Sequence, residues 1–179
     1  IEVVLSSTST YKNYEKGVHS VMSDNICFPA KLVHSHIYEL QNMGVDRIFF
    51  PRVVYEKEED GSVANSFNCP IIIGYPDVIN SAVDSEIPID SPVVSFKDDE
   101  LLKKQLFKYM ETLGVSKSVV KKAHDKALKE YYNFGMNLRK INEEAFEQSQ
   151  KEGRMAIVLA GRPYHTDPLI QHKVSEMIA

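Results

Sequence analysis

From Pro29 to Met43, the apolar residues Leu32, Val33, Ile37, Leu40 and Met43 recur at the spacing of one helix face. Gly44 then supplies a helix stop, and Val45 to Pro51 reads as a buried strand. A helix, a glycine and a strand in that order imply a βαβ arrangement and a parallel sheet, because the strand must return beside its neighbours through a crossover. The expected fold is therefore α/β, a mainly parallel sheet flanked by helices. Its strands are placed at Val3–Leu5, Ile48–Phe50, Ile71–Ile73 and Val93–Phe96.

Further along, Leu101, Leu102, Leu106, Met110 and Leu113 form a stripe ending at Gly114. A long helix near Ser118–Glu152 follows, with Val120, Ala123, Ala127, Tyr131, Phe134, Leu138, Ile141 and Ala145 at steps of three and four. That stripe is first of all a packing seam. Met155–Ala160 reads as a strand opening a second α/β unit. Three segments result: residues 1–97 as an α/β domain, 98–153 as a helical segment, and 154–179 as the truncated start of another α/β domain. Lys57-Glu58-Glu59-Asp60-Gly61 reads as a solvated loop, and no internal repeat is visible. The chain starts without Met and ends inside an apparent helix, so a piece of a longer polypeptide is expected.

With a net charge of -4, a general nucleic-acid-binding face is not supported. No apolar run approaches the roughly 20 residues that span a bilayer. Two cysteines do not make a disulfide framework, and a reducing, cytoplasmic setting is expected.

Those two cysteines are the main candidates for chemistry. Cys27 precedes Phe28-Pro29 at the opening of a helix, and Cys69 precedes Pro70. Proline suits a turn or a first helical position, and a thiolate there meets backbone N–H groups and the positive end of a helix. Against this stands the ordinary role of free cysteine as a small buried hydrophobe. His34 and His36 are two apart on a helix and make no metal clamp, so surface or capping roles are expected. His165 and Arg162 lie in the loop Gly161–Pro168, past an expected strand, and are candidate substrate or anion contacts. Ser6 and Ser7 are weaker candidates of the same kind. No P-loop or dinucleotide fingerprint is present.

Cys27-Phe28-Pro29-Ala30-Lys31-Leu32-Val33-His34-Ser35-His36-Ile37, Gly44 to Pro51, Asn68-Cys69-Pro70 with Gly74-Tyr75-Pro76, and Leu159 to His165 together resemble the 2-hydroxyacyl-CoA dehydratase family. The closer resemblance is to the dehydratase-like module of fused CoA-substrate-specific enzyme activases. It implies a [4Fe–4S] cluster held by three cysteines per subunit, with Cys27 and Cys69 at the first two positions and no third in this chain. It also implies an ATP-hydrolysing activator domain, in the same polypeptide, that passes an electron to the cluster, and an acyl-CoA or other small molecule as substrate. The function implied is an iron-sulfur, electron-transferring module of a dehydratase-like or reductase enzyme, inactive and without intact cluster in this piece alone. The alternatives left open are a non-catalytic docking module and a thiol or zinc enzyme using Cys27 with His34 or His165. If the cysteines share a cluster, both belong at the C-terminal edge of the sheet.

Overall fold

The computed structural model describes residues 1–58 and 65–179. It is a mixed α/β fold with short parallel strands. Helix α1 (Tyr11–Gly17) is capped by Thr10, whose side chain accepts from the Asn13 N–H. A 3₁₀ turn (Val18–Ser20) and α2 (Phe28–Asn42) follow, then β1 (Ile48–Phe49) and β2 (Arg52–Tyr55). Next come α3 (Pro70–Ala82), β3 (Ile89–Asp90) and β4 (Val93–Ser95). The chain continues into α4 (Asp99–Thr112), α5 (Lys117–Lys151), a 3₁₀ turn (Pro163–Thr166) and α6 (Val174–Ile178).

Strands β1 and β3 pair in parallel, and so do β2 and β4. Partners stand 41 residues apart from Ile48 with Ile89 to Val53 with Val94, so the two ladders are one line of pairing broken in the middle; a register shift beyond Val53 then brings Tyr55 opposite Ser95. The break falls at Pro51 and Pro92, which cannot donate to a ladder. The Arg52 N–H still donates to the Pro92 carbonyl at 2.9 Å, which carries the register across. Each of these interrupted strands follows a helix that begins beside a cysteine. The fold thus repeats one unit twice: Cys27, α2, β1 and β2, then Cys69, α3, β3 and β4. This repeat is structural, and the sequence alone does not reveal it.

The core sits where the two units meet. Ala30 and Ile37 of α2, Ile48 of β1, and Tyr75 and Ile79 of α3 are buried together, with Val33, Leu40, Val78 and Ile89 packed around them. The chain divides into two compact units, Ile1–Leu102 with Gly161–Ala179, and Lys103–Ala160. The second is dominated by α5, whose 35 residues rise about 52 Å at the usual 1.5 Å per residue. On α5, Tyr131, Phe134, Leu138 and Ile141 of the expected seam are exposed.

Several expected elements differ. Ile71–Ile73 is helical, because Pro70 starts α3 and the buried Tyr75, Pro76 and Ile79 recur at helical spacing. A run of three β-branched residues is here overruled by what that spacing buries. Val3–Leu5 forms no strand: it has no pairing partner among the described residues, and Val3 and Leu5 are 77% and 80% exposed. Met155–Ala160 likewise forms no strand and is exposed, so it opens no second sheet among the described residues. Conversely, β2 and β3 fall where the sequence places no strand, β3 inside an expected connection. The expected solvated loop reaches Glu59–Gly61, which lie outside the described residues.

Candidate functional site

Each cysteine is the N-cap of a helix. Cys27 caps α2 in an extended conformation, with Phe28 and Pro29 as the first helical residues. Cys69 caps α3, with Pro70 at the first position. The carbonyl of Cys27 accepts from Ala30 and Lys31, and that of Cys69 accepts from Ile73. Neither side chain makes a cap hydrogen bond, so the sulfurs are not used to close their own helices. Both are free thiols, Cys27 exposed and Cys69 half-buried. The ring of Phe28, next in the chain, stacks near His172 at 6.3 Å and meets Tyr14 edge-on at 5.3 Å.

The routes to the two positions differ from the sequence expectation. No strand leads to the Cys27 loop; α1 and the 3₁₀ turn precede it. After β2 the chain returns antiparallel, with Glu56 N–H donating to Ser66 O and Asn68 N–H to Val54 O. Cys69 therefore stands beside Val53 and Val54 rather than past the C-terminal end of β2. What makes the two positions equivalent is the repeat. Cys69 lies 42 residues after Cys27, close to the offset of the strand pairing.

The two cysteine-capped helices are joined by buried polar groups that sequence reasoning missed. His34 of α2, 1% exposed, places Nε2 at 2.9 Å from the Tyr75 hydroxyl of α3 and Nδ1 at 2.8 Å from Ser20 Oγ. The Ser20 hydroxyl donates to the Gly17 carbonyl at 3.0 Å, so its oxygen must accept from His34. His34 is then the neutral Nδ1–H tautomer, and its Nε2 accepts the Tyr75 proton. Burial, and secondly the nearby His19, hold the His34 pKa below 6.5. Burial, and secondly negative charge at Cys27, raise the Tyr75 pKa above its ordinary 10.0. The expectation of a surface or capping role for His34 is corrected by these contacts. A histidine at Leu32-Val33-His34 gives no sequence sign of burial beyond its place next to apolar residues.

A pH effect follows. The folded state keeps His34 neutral below the pH at which the unfolded chain protonates it. Stability is intact above pH 6.5 and is lost as pH falls through 6.5 toward the lowered folded value. Urea titrations between pH 5 and 8 should show this loss in the wild type and a flatter profile in His34→Gln. Equal slopes in both would assign the acid loss to other groups.

The weaker candidates are dispersed. The Ser7 N–H donates to Glu39 near the end of α2, and Ser7 Oγ accepts from Asn13. Glu39 is twelve residues past Cys27, about 18 Å along the helix, so Ser7 is not beside that thiol. Ser6 is half-buried in the same lead-in segment. His36 accepts or donates at Ser9 Oγ, 3.0 Å away. Arg162 and His165 do meet: the Arg162 N–H donates to His165 Nδ1, and the His165 N–H donates to the Arg162 carbonyl, both at 2.9 Å. The pair closes its own turn, which leaves the Arg162 guanidinium exposed.

The described residues contain no group of three or more His, Cys, Asp or Glu side chains able to hold a metal ion. No helix among them is long and apolar enough to cross a membrane. No curated protein and no solved structure matches the chain. One family does, and its match covers residues 1–179. The chain therefore belongs to the family described as "CoA enzyme activase uncharacterised domain (DUF2229)".

Proposed function

We propose that this domain supplies two thiolate ligands, Cys27 and Cys69, to a [4Fe–4S] cluster in an electron-transferring enzyme related to 2-hydroxyacyl-CoA dehydratases. The observation that carries the reading is the matched placement of the two thiols, each N-capping a helix in one of two repeated units. Membership in a CoA enzyme activase family supports the same chemistry. The partner is an ATP-hydrolysing activator domain, and the substrate class is an acyl-CoA thioester.

The donor set fits part of such a site. Thiolates are the soft ligands that iron–sulfur clusters take, and four ligand positions must be filled. This chain offers two, so the remaining ligands come from outside its described residues. When bound, the cluster supplies one-electron transfer. The chain's own contribution is electrostatic. Helix N-termini favour negative charge on sulfur, and backbone N–H groups near a cluster raise its potential.

A thiol enzyme using a His34 base is disfavoured by geometry, since both ring nitrogens of His34 are engaged by Ser20 and Tyr75. His165 likewise has Nδ1 taken by the Arg162 N–H.

Anaerobic reconstitution of the full-length protein tests the proposal. Iron and sulfide should be retained with a broad absorbance in the visible range, and Cys27→Ser and Cys69→Ser should each lower the iron content. A colourless protein, or iron content indifferent to both substitutions, would leave a docking role in place of the cluster.

A further inference from the structure

The geometry points to the Ser20–His34–Tyr75 hydrogen-bond chain as the device that sets the spacing of Cys27 and Cys69, making His34 and Tyr75 positioning residues for the pair. Its functional meaning rests on the cluster reading above; its geometric content does not.

α2 leads into β1 and α3 leads into β3 through short connections, and β1 and β3 are parallel. Both helices therefore run back against the same strand direction, alongside each other, with their N-termini on one side. His34 lies seven residues into the chain from Cys27, and Tyr75 six from Cys69. At 1.5 Å per residue these are about 10 and about 9 Å, so the hydrogen bond ties the helices at matched depth. Neighbouring packed helices lie about 8–10 Å apart axis to axis, so residues that cap them at matched depth stand at neighbouring positions.

The apolar contacts between the helices cannot set this level by themselves. Burial of Ala30, Ile37 and Ile79 is non-directional and tolerates a small slide. The His34–Tyr75 bond does not: one residue of slide moves Tyr75 by about 1.5 Å and turns it by about 100°, which breaks the contact. Ser20 completes the constraint from the other side. It fixes the tautomer of His34 by holding Nδ1–H, and it is itself anchored on the Gly17 carbonyl. Directional bonds in a buried site specify geometry more than they add stability.

The test reads sulfur positions directly. Cys27 and Cys69 are the only cysteines of the 179-residue chain. A short bismaleimide is applied to the metal-free protein, and the Cys27–Cys69 link is identified by peptide mass spectrometry. The wild type should be bridged. Tyr75→Phe, which removes only the hydroxyl, and Ser20→Ala should each reduce bridging about fivefold, the population shift set by one hydrogen bond. Their single-site alkylation by a monomaleimide should be unchanged. Ile37→Val, which trims the same interface without touching the polar chain, should lower the melting temperature and keep the bridging. If Tyr75→Phe does not fold, Ser20→Ala carries the comparison. Absence of bridging in the wild type, wild-type bridging in the polar variants, or equal loss in Ile37→Val would overturn the proposal. Iron binding is measured separately, so a failure of the cluster reading leaves the spacing result readable.

Discussion

Gly17→Ala is expected to destabilise the first unit by about 3 kcal/mol, the upper part of the usual cost of overpacking. A Cβ at Gly17 would lie 2.5 Å from both Cα and N of Ser35 and 2.7 Å from the carbonyl carbon of His34. These are backbone atoms of α2, so no side-chain rotation relieves the clash. α1 would have to move away from α2, against which it packs. The φ of Gly17 is -101°, which alanine adopts without strain, so the effect is one of space and not of backbone preference. In a unit of this size the melting temperature should fall on the order of 10 °C. The displacement would also move the Gly17 carbonyl that anchors Ser20, so the His34 contacts should loosen with it. Thermal unfolding followed by circular dichroism decides the matter, and a melting temperature equal to that of the wild type would show that α1 can shift at little cost.

Ile79→Ala should cost a comparable amount, about 3 kcal/mol, from lost transfer energy and the cavity left behind. Ile79 is 0% exposed and packs with Ala30, Ile37, Ile48 and Tyr75, so it touches both repeated units at once. Ile37 occupies the matching place in the first unit, 42 residues earlier, and Ile37→Ala should behave alike. Chemical denaturation should show a lower midpoint for both with little change in slope. A cost below that of an ordinary surface substitution at either position would mean that the two units do not share one core.

The sequence makes much of this fold legible where one periodicity acts alone. α2 is visible from its apolar face and from Gly44, which adopts φ +69°. α5 is visible from its sustained stripe, and β4 from Val93–Phe96. The errors arise where local pattern and burial disagree. Ile71-Ile72-Ile73 has the composition of a strand, and Pro76 follows it closely. In the fold Pro76 is an interior residue of α3, buried, its carbonyl accepting from Asn80. β2 is hidden because Arg52 and Tyr55 find partners only in the fold: Arg52 pairs with Asp77, and Tyr55 meets Phe67 edge-on at 4.8 Å. The place of Cys27 at a helix start could be read from Pro29 behind it, whereas Cys69 is read ahead of a strand and caps a helix only in the fold. The His34–Tyr75 contact could not, since it joins residues 41 apart with no shared motif.

Pro51 blunts one flank of the sheet. The N–H groups of Ile48, Phe50 and Arg52 point toward the partner strand, so the position of Pro51 faces the other way and offers no donor there. A little further on, that same outer flank is taken by the return segment, through Tyr55 opposite Phe67. One side of the sheet is thus blunted by an imino acid and then covered, as edges are when uncontrolled pairing between molecules would be harmful. A strand recruited beside β2 would have to displace that return segment, so the chain itself guards this flank.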